Sequence, residues 1–97
     1  MLKGKQRASL RKCANDMETI LQVGKEGIGD TLIKQVDDAL TARELIKIRV
    51  LKNQELTARQ AADTFMKETH CDVIQVIGTR IVLYRRNPQK AAYDFCL

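Results

Sequence analysis

The residues best placed to do chemistry are three glycines in a six-residue stretch, Gly24-Lys25-Glu26-Gly27-Ile28-Gly29. Glycine lacks the Cβ that keeps a ligand away from the main chain. A loop between a strand and a helix also aims backbone amides, and the positive end of the helix dipole, at whatever lies above it. G-x-x-G is the spacing by which KH-type modules clamp about four nucleotides of a nucleic-acid backbone. Lys25 adds a cation at the tip and Glu26 offsets it, so the loop needs further positive charge beside it, which the first helix would supply. The same glycines also suit a plain turn that requires positive φ. Two nucleotide-binding readings fail on the residues. As a dinucleotide fingerprint, Gly27-Ile28-Gly29-Asp30-Thr31-Leu32 has Leu32 at the third small position, and Asp30 puts negative charge at the pyrophosphate. A P-loop needs G-x-x-x-x-G-K-[ST], which does not occur.

Catalytic and metal-binding constellations are weaker still. Cys13, Cys71 and Cys96 are odd in number and widely spaced, with no C-x-x-C, and His70 is the only histidine, so neither a disulfide framework nor a zinc site is supported. His70 and Cys71 are sequence neighbours, which rarely reach base-nucleophile geometry; His70 reads as a helix-end residue interacting with the dipole. Asp37 and Asp38 face different directions on a helix and read as solvated. No catalytic residue, metal site, cofactor or small-molecule substrate is expected, and a reducing cytoplasm is the simplest location.

Charge points to the partner class. Seventeen Lys and Arg against twelve Asp and Glu leave a net charge of +5, which favours polyanions. Residues 1–12 hold five cations (Lys3, Lys5, Arg7, Arg11, Lys12) and no acid, whereas acids such as Asp37, Asp38 and Glu55 come later. Ninety-seven residues are enough for one small core, and 44% hydrophobic with 30% charged residues is ordinary globular usage. No stretch approaches the roughly 18 apolar residues of a membrane span, and no apolar segment follows the basic start, so neither secretion nor membrane insertion is expected.

These groups must be positioned by a small α/β fold. Leu10, Cys13, Ala14 and Met17 recur at helical spacing and predict a helix over 5–17, with Arg7 and Arg11 flanking its apolar stripe. Residues 20–23 predict a strand ending at Gly24, and Asp30 is expected to cap a helix carrying Ile33, Val36 and Leu40. Residues 45–52 alternate as a strand, Ile46, Ile48 and Val50 on one face, Lys47, Arg49 and Lys52 breaking the other. Thr57-Ala58-Arg59-Gln60 fits a capping box, opening a stripe of Ala58, Ala61, Ala62, Phe65 and Met66. Residues 73–77 and 81–84 predict a hairpin through Gly78-Thr79, a Gly-X pair suited to a II′ turn. The expectation is one domain over 2–86, ordered α-β-α-β-α-β-β around a four-stranded mixed sheet. Pro88 ends the regular part. Residues 87–97 form a tail of uncertain order, in which Tyr93, Phe95 and Leu97 alternate.

Several segments together resemble one family. Gly4-Lys5-Gln6-Arg7 with Leu10-Arg11, then Val23-Gly24-Lys25-Glu26-Gly27-Ile28, Leu45-Ile46-Lys47-Ile48, Gln75-Val76-Ile77-Gly78 and Ile81-Val82-Leu83-Tyr84-Arg85 are similar to the CRM domain (chloroplast RNA splicing and ribosome maturation), in its bacterial single-domain YhbY form. The resemblance spans residues 2 to about 86. It implies a fold similar to the C-terminal domain of translation initiation factor three, RNA binding, and association with large-subunit ribosomal precursors. The family's G-x-x-G loop falls on Gly24, Lys25, Glu26 and Gly27, and its basic first-helix motif on Lys5, Arg7 and Arg11. Ala8 stands where related chains often carry a second Arg, which weakens that patch.

Lys3, Lys12, Arg80, Arg85 and Arg86 are secondary RNA-binding candidates; the last three equally suit guarding a sheet edge against aggregation. Lys47 and Arg49 read as solvated strand cations, and Tyr84 as a core or edge residue, since aromatics are only 4% of the chain and no stacking pair is evident. The expected function is a monomeric, non-catalytic protein that binds ribosomal RNA. The alternative is a protein-interaction module using the sheet or residues 91–97.

Overall fold

A computed structural model describes residues 3–51 and 56–87. The elements run α1 (Gly4–Ala14), β1 (Leu21–Val23), α2 (Asp30–Arg43), β2 (Leu45–Val50), α3 (Ala58–Thr69), β3 (Asp72–Ile77) and β4 (Arg80–Tyr84). This is the expected order. Lys52, Glu55, Pro88 and the 91–97 tail lie outside the described residues. No helix among those described is long and apolar enough to cross a membrane.

The sheet has strand order β1-β2-β4-β3, with β1 parallel to β2 and both other pairings antiparallel. Strand alternation divides it into two faces, which carry different helices. Val23, Ile46, Ile48, Val50, Ile81 and Leu83 point to one side and form the main core with Val36 and Leu40 of α2 and Ala61, Ala62 and Phe65 of α3. Leu45, Ile74, Val82 and Tyr84 form a second, smaller core with Leu10 and Ala14 of α1, joined by partly buried Cys13 and Met17.

Local chemistry explains most boundaries. Thr57 Oγ1 accepts from the Gln60 amide (3.1 Å) while Gln60 Oε1 accepts from the Thr57 amide (3.0 Å), the reciprocal box the sequence spells out. Gly78 has φ +55 and Thr79 stays outside the left-handed region, as a II′ hairpin requires. Three expectations shift. The first helix stops at Ala14, and Met17 reaches the core from the turn beyond it, its amide bonded to the Ala14 carbonyl. The cap of α2 is Gly29, in extended backbone, with Asp30 inside the first turn, where a carboxylate still complements the dipole. Met66 is exposed, because the buried stripe of α3 runs through Ala61, Ala62, Phe65 and Thr69, one position away.

Only Glu44 separates α2 from β2. It is buried and held at φ 65, ψ −52, a conformation that reverses the chain within one residue and is uncommon for a side chain with a Cβ.

Candidate nucleic-acid interface

The G-x-x-G segment is a tight turn. The Gly27 amide donates to the Gly24 carbonyl (3.1 Å), which puts Lys25 and Glu26, both exposed, at the tip. Gly27 has φ +78, so the turn itself favours glycine there. Gly24 is different: its φ is not in the positive region, and a Cβ built on it would meet nothing within 4 Å. Nothing in the fold requires Gly24 to be bare. A Cβ at Gly27 or Gly29 would also enter open space, so the turn presents unobstructed backbone to solvent.

The turn borders a cleft of 590 Å³ lined by Gln22, residues 24–27 and 29, and the start of α2 from Asp30 to Leu32, with Gln35 one turn further on. Gly29 caps α2 without a side-chain hydrogen bond, and Asp30, Thr31 and Leu32, whose first-turn amides lack intrahelical partners, line this space. The cleft is suited to groups that accept hydrogen bonds from backbone amides. Its own side-chain charge does not attract anions, since Lys25 is outweighed by Glu26 and Asp30. Cations must come from outside the cleft.

They do not come from Arg7. Its Nη1 donates to the Val73 carbonyl and its Nη2 lies 3.8 Å from Asp72 Oδ1, which fastens α1 to the start of β3. The loop follows the end of β1. Since β1 and β3 are the two edges of the sheet and run in the same direction, the loop and Arg7 occupy diagonally opposite corners. Three strand spacings by a strand length of about five residues put them roughly 20 Å apart. The expectation that the first helix sits beside the loop is therefore corrected: the chain order is right, but α1 crosses the sheet at its other end. Arg11 is half-buried one turn along α1, and Lys3, Lys5 and Lys12 are exposed. Replacing Arg7 with alanine should lower stability by about 1–2 kcal/mol, mostly through the lost bond to Val73, the half-exposed ion pair adding little. A thermal melt should show it as a fall of roughly 4–16 °C.

The hairpin arginines separate in the same way. β4 is an interior strand, so Arg80 and Arg85 do not guard an edge. Arg85 is a clamp. Its Nη1 donates to Asp37 Oδ1 and to the Thr69 carbonyl (2.7 Å), and its Nη2 to the Asp37 carbonyl (2.9 Å) and Thr41 Oγ1 (2.8 Å). Asp37, read from sequence as solvated, is thus engaged with Arg85, while Asp38 pairs with Lys34 on the exposed surface. Arg86 is exposed beyond the strand. Arg80 projects from β4 on the α1 side of the sheet, directly opposite Arg49 of β2.

Tyr84 is a core residue and His70 is the left-handed C-cap of α3, its amide bonded to the Met66 carbonyl. Cys71 is buried, and burial pushes its thiol above the ordinary value, with a hydrogen bond to Thr69 offsetting part of the rise. A raised thiol pKa disfavours the reactive thiolate.

Comparison with known proteins gives these features a context. Residues 2–85 match the family model of the CRS1 / YhbY (CRM) domain. The chain is 44% identical over 89 residues to "Probable RNA-binding protein YqeI" of Bacillus subtilis (strain 168), covering 92% of this chain and 93% of that protein. It is 29% identical over 84 residues to a Haemophilus influenzae protein named "RNA-binding protein", covering 87% and 85% of the two chains. The solution structure of the hypothetical protein SAV1595 from Staphylococcus aureus shares 44% identity and superposes with a TM-score of 0.74 over 89% of this chain and 90% of that one. The matched residues run through all seven elements, loop and first helix included, and on that ground the chain belongs to the CRS1/YhbY (CRM) domain family.

Proposed function

We propose that this protein is a non-catalytic RNA-binding protein that engages ribosomal RNA of the large-subunit precursor during ribosome assembly, acting as a monomer in the cytoplasm. The backbone of the RNA would approach the turn at Gly24, Lys25, Glu26 and Gly27, with Lys5, Arg7 and Arg11 of α1 holding a more distant part of the same ligand. Lys3, Lys12 and Arg86 would add diffuse attraction, while the Arg85 side chain is already committed to the fold. The observation that carries the reading is Gly24, bare without a conformational or steric need inside the protein, beside a cleft faced by helix-start amides. Relatives named as RNA-binding proteins support the ligand class. The ribosomal precursor is the family expectation set out from the sequence.

Gly24→Ala separates this from the plain-turn reading. Added into open space at an unstrained position, the methyl group should leave the melting temperature within error of wild type. RNA affinity should fall about 5–10-fold, the worth of one backbone hydrogen bond held off. Gly27→Asp adds a negative charge and, at φ +78, a strain of about 1 kcal/mol, and should reduce binding further while the protein stays folded. Unchanged binding in both variants would reduce the loop to a turn. Capture from cells with and without nuclease, followed by sequencing of the bound RNA, tests the ribosomal assignment.

A further inference from the structure

The face of the sheet that carries α1 is only half covered by it. The helix packs on Leu45, Ile74, Val82 and Tyr84, at the start of β2, the first half of β3 and the middle and end of β4, reaching the row of Lys47. Among the described residues no helix packs on the other half of that face. Along it the strand register sets Gln22, Arg49, Arg80 and Ile77 in one row across all four strands, with Lys47 in the next row. Arg49, Arg80 and Ile77 are exposed, Ile77 to 61%.

We propose that this half-face, carried by Gln22, Lys47, Arg49 and Arg80, is a second phosphate-binding subsite, taking the same RNA strand that enters the loop cleft. The proposal rests on the RNA reading above and adds where the missing cations come from.

Three observations converge on it. First, Arg49 and Arg80 are directly opposed. The Val50 amide donates to the Thr79 carbonyl (2.6 Å), which flanks the 49/80 pair and makes it the close, non-hydrogen-bonded kind, with Cα atoms about 4.5 Å apart. Like charges in that position destabilise a sheet. Among the described residues neither guanidinium has an ion-pair or side-chain hydrogen-bond partner. An anion lying between the two would convert the repulsion into a bidentate grip.

Second, the half-face is continuous with the cleft. Gln22 lines the cleft and is also the cross-strand neighbour of Arg49, so the cleft, Arg49 and Arg80 are successive steps of about 4.8 Å across the strands. A chain of phosphates leaving the amides of the turn would meet two cations within two strands. Third, the sign of the charge is complementary. The cleft lining has one cation against two acids, and the half-face has three cations. Lys47 is steadied by a bond from its Nζ to the Asn15 carbonyl (3.5 Å), and it borders a 440 Å³ hollow with Arg80, in which Glu18 is the acid. Ile77 at the end of the row offers an apolar surface beside the arginines.

The test is fluorescence anisotropy with a labelled oligouridylate of about 16 nucleotides, comparing wild type with the double variant Arg49→Gln, Arg80→Gln. Removing two phosphate contacts at about 0.7 each should cut the loss of affinity between about 50 and about 200 mM salt from roughly 50-fold to roughly 7-fold. Arg49→Lys with Arg80→Lys should restore the salt slope. Because a repelling pair is removed, the glutamine variant should melt at or above the wild-type temperature, so a loss of binding is not a loss of fold. Wild-type affinity and slope in the glutamine variant, with binding lost in Gly27→Asp, would overturn the subsite and leave the loop standing. Equal weakening toward a poly-glutamate chain would identify an acidic protein surface as the partner and overturn it as well. Wild-type protein that binds no RNA would overturn both.

Discussion

Replacing Arg85 with alanine is expected to lower the unfolding free energy by about 3 kcal/mol, the largest stability effect of any single basic residue among those described. The guanidinium joins two helices to the sheet: it donates to Asp37 and Thr41 on α2 and to the Thr69 carbonyl at the end of α3, while its own amide donates to the Glu44 carbonyl. The ion pair with Asp37 is half-exposed on the acid side and contributes little by itself. The carbonyl bonds matter more. Thr69 is 2% exposed, so its carbonyl, once abandoned, keeps its desolvation cost without a replacement donor. In a domain of this size the loss should appear as a fall of roughly 12–24 °C in melting temperature. Arg85→Lys should lie between the two, because a single ammonium cannot reproduce a planar fork with several donors. A drop below about 1 kcal/mol would show that Arg85 is not the clamp the geometry describes, and would return it to the candidates for RNA contact.

The second large effect is on binding. If about four phosphates are engaged, each contributing about 0.7 to the logarithmic slope, affinity for RNA should fall roughly 50-fold between about 50 and about 200 mM salt. A slope near zero would exclude phosphate contact as the main source of affinity. Combining charge reversal at Arg7 and Arg11 with Gly27→Asp adds a spatial test. The two sets lie at opposite corners of the sheet, so their free-energy losses should add if they hold separate stretches of RNA, and should combine non-additively if one segment bridges both. Arg7 must be read with its structural cost in mind, since it also bonds to Val73 and Asp72.

Much of the candidate site's local geometry is legible in the sequence. The bare turn at 24–27 is a local property, written in glycine spacing at the end of a β-rich run, and the structure places it as the exit of β1 beside the start of α2. The cations were legible as a list but not as a surface. Arg7 and Arg11 stood out because five cations crowd the first twelve residues, yet α1 carries Arg7 to the far corner. Arg49 reads from sequence as a solvated strand cation, and what sets it apart is its register partner Arg80, thirty-one positions away.

What the amino-acid order determined by itself is everything set by neighbours within a few residues. That covers the succession of seven elements, the capping box at Thr57 and Gln60, the II′ turn at Gly78, and the open turn at Gly24, each specified by backbone sterics and short-range hydrogen bonds. Only the tertiary structure decided which cations share a face. β4 inserts between β2 and β3, and this pairing makes Arg85 a clamp, aligns Arg49 with Arg80, and leaves half of one sheet face without a helix among the described residues. The physical reason is that strand pairing is chosen by burial of apolar faces from distant parts of the chain, and polar residues on the opposite pleat are carried along into whatever company that burial gives them.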